Sequence, residues 1–106
     1  MIAISEKAGL LTVINVFTVQ PEQRQRLLDY LLENKEIPMK QPGFISASLH
    51  TSLDGERVVN YIQWSSREAL ESASKDPDFT AMTKQAAEFA LHDFHVYEVI
   101  FTIQAQ

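Results

Sequence analysis

The chain has 106 residues, 45% of them hydrophobic and 22% charged, with 3 Gly, 4 Pro and no Cys, a composition that fits one globular domain and not a disordered or fibrous chain. Acidic residues outnumber basic ones 14 to 9, for a net charge of −5 with no run of Lys or Arg, which repels phosphate backbones and argues against a nucleic-acid partner. Disulfides, thiolate metal sites and a cysteine nucleophile are excluded, and no apolar run is long enough to span a bilayer, so no membrane partner is expected.

Residues 1–10 read as a short flexible arm. They carry Glu6 and Lys7 and lack the apolar stretch of a secretory signal, so the expected location is cytoplasmic. Residues 11–104 are expected to form a single domain. Its first strand spans 11–19, rich in Val, Ile, Thr and Phe, with both alternating faces largely apolar and Asn15 as the polar exception. Pro21 then opens a helix, with Glu22 complementing its positive end. Leu27, Leu28, Leu31 and Leu32 form its apolar stripe. Pro38 is expected to end the helix, and Gln41-Pro42-Gly43 to form a turn.

Residues 44–52 alternate, which places Phe44, Ser46, Ser48 and His50 on one face and Ile45, Ala47, Leu49 and Thr51 on the other. Asp54-Gly55 marks a hairpin, and 57–64 return as its partner strand. Ser65 with Glu68 fits a capping box, predicting a helix to about residue 74. Asp76-Pro77 interrupts it. A second helical piece, over about 78–90, places Phe79, Met82, Ala86, Phe89 and Ala90 on one side. Residues 93–103, dense in Phe, Val, Tyr and Ile, predict a last strand.

The order β-α-β-β-(αα)-β predicts an α+β, ferredoxin-like βαββαβ fold: an antiparallel four-stranded sheet with helices on one face. The other face is left bare, with Val59, Tyr61, Phe44 and either Tyr97 or Phe94 on it. Leaving apolar surface in water costs about 25 cal/mol per Å². A homodimer through this open sheet face is therefore expected.

No hydrolase elbow, phosphate-binding loop, dinucleotide fingerprint or paired-histidine metal motif is present. The three histidines are His50, His92 and His95; the last two, three apart in a strand, point to opposite faces and do not chelate one metal. The informative segment is Asn60-Tyr61-Ile62-Gln63-Trp64. Asn60 and Trp64 share a strand face with Val58 and Ile62, the face expected to look toward the helices. Asn15 belongs to the same layer if the first and third strands are neighbours. A buried carboxamide costs roughly 1–3 kcal/mol when unpaired, so two of them beside the sole Trp need a purpose. Either they bond backbone or water and the Trp is a plain core aromatic, or the cluster serves a ligand.

The segments Pro42-Gly43-Phe44-Ile45-Ser46-Ala47-Ser48-Leu49-His50, Leu53-Asp54-Gly55 and Val58-Val59-Asn60-Tyr61-Ile62-Gln63-Trp64-Ser65-Ser66-Arg67-Glu68-Ala69 resemble the antibiotic biosynthesis monooxygenase (ABM) domain. The likeness runs over about 11–102. It implies a dimeric α/β barrel and a cofactor-independent monooxygenase that oxidises an electron-rich aromatic, of anthrone or quinol type, to a quinone with O2. No metal or other cofactor is implied. Asn60 and Trp64 match an Asn and a Trp that line the pocket of the anthrone enzymes; Asn15 joins them as a catalytic candidate. Ile62, Phe79, Met82 and Thr83 are the expected substrate-binding residues, for a small aromatic substrate. Where those enzymes carry a Tyr and a basic helix residue, this chain has Leu70 and Lys84; Lys84 falls off the Phe79/Met82/Ala86 stripe, and its expected place is solvent. His50 is a proton-acceptor candidate by residue type, on the face the dimer would cover. Two alternatives stand beside this: a non-catalytic dimeric small-ligand-binding module, and a haem-degrading relative, for which Asn15 and Trp64 match but the axial His position falls near Thr83.

Overall fold

A computed structural model describes residues 9–106. Most of the arm expected over 1–10 therefore lies outside the described residues. The elements run β1 (Leu11–Thr18), α1 (Pro21–Glu33), α2 (Glu36–Met39), β2 (Phe44–Thr51), β3 (Arg57–Trp64), α3 (Arg67–Ala73), α4 (Pro77–Phe89) and β4 (Leu91–Tyr97). The strands form one antiparallel sheet in the order β2-β3-β1-β4. That is the ferredoxin-like α+β arrangement, and the sheet of the single chain is open rather than a closed barrel. Among the described residues no helix is long and apolar enough to cross a membrane.

The core lies between the sheet and the helices. Val13 and Phe17 of β1 and Val58 and Trp64 of β3 are buried against Leu27 of α1, Ala73 of α3 and Phe79, Met82 and Ala86 of α4. The α1 stripe is narrower than expected. Leu27 is fully buried and Leu28 and Leu31 pack beside it, but Leu32 is 63% exposed. At 3.6 residues per turn, Leu32 lies about 140° around the helix from Leu27 and cannot share its groove.

Helix boundaries also move. Asn34 closes α1, its Nδ2 donating to the Tyr30 carbonyl at 2.8 Å. Pro38 does not end that helix; it sits in the single turn of α2, where the first-turn amides have no intrahelical partner to lose. The cap of α3 is Ser66, not Ser65: the Ser66 hydroxyl accepts from the Ala69 amide at 3.1 Å. Asp76 caps α4, its carboxylate accepting from the Phe79 amide at 2.9 Å, so that helix begins at Pro77.

The β2–β3 hairpin turns at Asp54-Gly55 as expected. Asp54 Oδ1 accepts from the Ser52 hydroxyl at 2.6 Å and the Glu56 amide at 2.9 Å, and these bonds hold its carboxyl below the usual carboxylate range. A register shift at the start of β2 is the main departure. Phe44 pairs with Trp64 and Ser46 with Gln63, so Ile45 is an extra residue on the strand. Ser46, Ser48 and His50 therefore face away from the helices with Gln63, Tyr61 and Val59, while Phe44 turns in with Ala47 and Leu49. The expectation that Phe44 lies on the bare face is thus corrected: its ring meets Trp64 edge-on, at a centroid distance of 5.6 Å and 82°.

The bare face carries Ile14, Val16, Val59 and Tyr61, all half-buried, with Tyr97 at its edge, while Phe94 looks toward the helices. Thr12 and Gln63 are buried there, with Gln63 Nε2 donating to Thr12 Oγ1 at 3.3 Å. The last strand ends at Tyr97, six residues before the expected 103. Tyr97 pairs with Thr12, next to the first residue of β1, so β1 offers no further ladder partner. The segment 98–106 runs on without regular structure, and Ile100, Phe101 and Ile103 are exposed.

Candidate active site

β1 and β3 are the two central strands, and their register sets Asn15 directly opposite Asn60. Side chains so paired have Cβ atoms about 5 Å apart. Both face the helices, because they keep the parity of the buried Val13, Phe17, Val58 and Trp64 on the same strands. Trp64 lies four residues farther along β3, with Ile62 between. The indole is held edge-on by Phe44 of β2 and by Phe79 of α4, the latter at 5.8 Å and 79°. Only 1% of Trp64 is exposed.

These side chains wall a cavity of about 590 Å³ between sheet and helices, within the size range of small-molecule sites. All seven residues singled out in the sequence line it: Asn15, Asn60, Trp64, Ile62, Phe79, Met82 and Thr83. The remainder of the wall is mostly apolar, with Val13, Phe17, Leu31, Leu70 and Ala86 among it.

Two polar atoms in this wall are buried and have no hydrogen-bond partner, Asn15 Oδ1 and Trp64 Nε1. Leaving such a group unpaired costs about 1–3 kcal/mol. One is an acceptor and the other a donor. A hydroxyl and a carbonyl are the groups complementary to this pair.

Phe44, Phe94, His92 and Lys84 are aromatic or charged wall residues outside the expected set. Phe44 was hidden by the extra residue in β2. Phe94, opposite Asn15 on β4, and His92, opposite Phe17, belong to the inward parity of that strand. Alternation from Phe94 back to His92 is the signal that finds both. Lys84 is exposed, as its place off the α4 stripe requires, yet it also forms part of the cavity wall. His50, by contrast, is on the bare face, its Nε2 at 2.8 Å from the Ser48 hydroxyl, and does not reach the cavity.

The sequence profile of the antibiotic biosynthesis monooxygenase family matches residues 10–85. The chain is 42% identical over 78 residues to tetracenomycin-F1 monooxygenase of Streptomyces glaucescens, an alignment covering 73% of this chain and 70% of that one. The fold is similar to that of a variant of SnoaB, a cofactor-independent oxygenase from Streptomyces nogalater, with a TM-score of 0.83 at 19% identity over 92% of this chain and 100% of that one. It is also similar to the ActVA-Orf6 monooxygenase of Streptomyces coelicolor, solved with nanaomycin D, with a TM-score of 0.79 at 25% identity over 92% and 93% of the two chains. The chain belongs to the antibiotic biosynthesis monooxygenase family.

Proposed function

We propose that this protein is a cofactor-independent monooxygenase that oxidises an electron-rich aromatic of anthrone or quinol type to a quinone with dioxygen. The observation that carries the reading is the pair of orphaned atoms, Asn15 Oδ1 and Trp64 Nε1, buried in one apolar cavity of ligand size. The names of the relatives support the same chemistry: one acts on tetracenomycin F1, another is a cofactor-independent oxygenase, and a third was solved with nanaomycin D.

Dioxygen is a triplet and reacts slowly with closed-shell molecules. A substrate anion evades this by giving up one electron first, so the task of the protein is to favour the anion. Asn60 donates its amide hydrogens to the developing oxyanion, an interaction strengthened where water is excluded. Asn15 Oδ1 accepts from a neighbouring substrate hydroxyl, and the Trp64 indole donates to the carbonyl. Phe44, Phe79 and Met82 keep water out. Electron transfer to O2 and radical recombination give a hydroperoxide; loss of water from it leaves the new carbonyl.

The test is oxygen uptake by the purified protein with dithranol, a dihydroxyanthrone, and no added metal or flavin. Uptake of one O2 per quinone formed, well above autoxidation, is the expected result. Quenching of Trp64 fluorescence by the ligand with no uptake above the blank overturns the enzyme in favour of a ligand-binding module.

The partner in this reading is a second copy on the bare sheet face, where Ile14, Val16, Val59 and Tyr61 sit half-buried beside the exposed Ile100 and Phe101. Sedimentation equilibrium is expected to give twice the 12.1 kDa of one chain. Val59→Arg, which places an unpaired charge on that face, is expected to move the mass to that of a monomer. A monomeric wild type at micromolar concentration rules the dimer out.

A further inference from the structure

We propose that His92 takes the substrate proton, as the general base of the oxidation assigned above; the inference rests on that reading. Anion formation needs an acceptor for a hydroxyl or carbon-bound proton. Neither carboxamide can serve, since amides are not basic, and the indole N–H only donates. Two side chains in the cavity wall titrate or carry charge, Lys84 and His92. An ammonium has no acceptor atom. An imidazole is the side chain whose ordinary charge change falls between pH 5 and 8.

Position supports the role. β4 pairs with β1 so that Phe94 is opposite Asn15 and His92 is opposite Phe17. His92 is therefore the diagonal neighbour of Asn15 on the cavity face, with Cβ atoms about 7–8 Å apart, a gap that an imidazole and one ligand oxygen fill. The Phe17 ring lies 6.2 Å from the imidazole, centroid to centroid, and backs it. His92 is also exposed, so a proton taken inside can be passed to water.

The cavity wall it belongs to holds one fixed charge. α4 contributes Lys84, and β1 presents only Phe17, Asn15 and Val13 on this face. Asp93 and His95, its neighbours on β4, face the other way and pair with each other at 2.9 Å. Lys84 is the fixed charge that shares the cavity wall with His92, and a cation there favours the substrate anion.

The proton balance closes. The neutral imidazole removes the proton from the substrate, breaking its C–H or O–H bond and forming N–H. The anion transfers one electron to O2, and recombination forms the C–O bond of a peroxide anion. The imidazolium returns its proton to the distal oxygen, giving the hydroperoxide. Neutral again, it removes the remaining C–H proton as the O–O bond breaks; that electron pair forms C=O, and hydroxide leaves and becomes water with the returned proton. One substrate CH2 and one O2 become one carbonyl and one water.

The experiment compares wild type, His92→Gln and Lys84→Met by dithranol-dependent oxygen uptake and by the visible spectrum of bound alizarin, a dihydroxyanthraquinone that changes colour on ionising. A positioned base contributes about 10²–10⁴-fold, so His92→Gln is expected to lower kcat at least about 100-fold and to lose the acid limb of the kcat/KM profile. Exogenous imidazole is expected to restore part of the rate to His92→Ala. Bound alizarin is expected to show its anion band in the wild type at neutral pH and to lose it in His92→Gln. A His92→Gln enzyme that keeps rate and pH profile overturns the base and leaves the oxygenase standing. A wild type that takes up no oxygen but ionises alizarin through His92 overturns the oxygenase and leaves the proton acceptor standing. Alizarin that binds equally un-ionised to wild type and variant overturns the base on its own.

Discussion

Asn15→Leu is expected to stop turnover while raising the unfolding midpoint. Leu has the same branched four-atom skeleton as Asn, its extra bulk can extend into the cavity, and it removes an acceptor that, in the free protein, is buried without a partner. The desolvation cost of about 1–3 kcal/mol that accompanies such an atom disappears with it. A domain of this size gains several degrees per kcal/mol. The same change deletes the acceptor that orients a substrate hydroxyl, and misplacing a substrate by about 1 Å costs about 10²-fold in rate. Asn60→Ala is expected to show the same fall in kcat. The opposite signs of the two effects in Asn15→Leu mark a residue kept for its ligand. Thermal melts and oxygen uptake on one preparation decide it: a variant that is less stable and fully active would show Asn15 to be an ordinary structural amide.

The second large effect falls on stability. Gly43 holds φ at 84°, two residues before the extra residue of β2, and its carbonyl accepts from the Ser65 amide at 2.7 Å. A Cβ there would meet Ala69 Cβ and Ser65 Oγ well inside van der Waals contact. Gly43→Ala therefore combines the left-handed penalty of about 1–2 kcal/mol with overpacking of about 1–3 kcal/mol. The sum is a large share of the 5–15 kcal/mol typical of a domain. Gly55, at φ 77°, is the control: its Cβ would touch only the flexible Arg24 guanidinium, so Gly55→Ala carries the backbone penalty alone. Denaturant midpoints that fall equally in the two variants would deny the packing role of Gly43. Because the strained turn aims Phe44 at Trp64, a folded Gly43→Ala protein is also expected to show an altered near-UV Trp signal.

The element order and sheet were readable because each segment kept a clean period. The strands alternate or run apolar, α4 repeats Phe79, Met82 and Ala86 at helical spacing, and Asp54-Gly55 fixes the hairpin. The polar layer was readable for the same reason, since the parity of Asn60, Ile62 and Trp64 on β3 is a property of any extended chain. Three features were not. The extra residue at Ile45 reverses the face of Phe44, and nothing in the alternation of 44–52 announces it, because a bulge is set by where Gly43 anchors the strand. The end of β4 depends on how far β1 extends to meet it, which is a tertiary matter; residues 98–103 have strand-like composition but lie outside the sheet. His92 was lost to the site by starting the last strand at Asp93, two residues late.

β4 has a single neighbour in the sheet, and every one of its residues is exposed. Parting it from β1 breaks one set of backbone bonds and wets little that is not already wet, so thermal fluctuation of the sheet concentrates there. β1 and β3, which carry Asn15, Asn60 and Trp64, are flanked on both sides. The carboxamides and the indole thus sit on the doubly flanked strands, whereas His92 and Phe94 sit on an edge strand that is expected to exchange its amide hydrogens sooner.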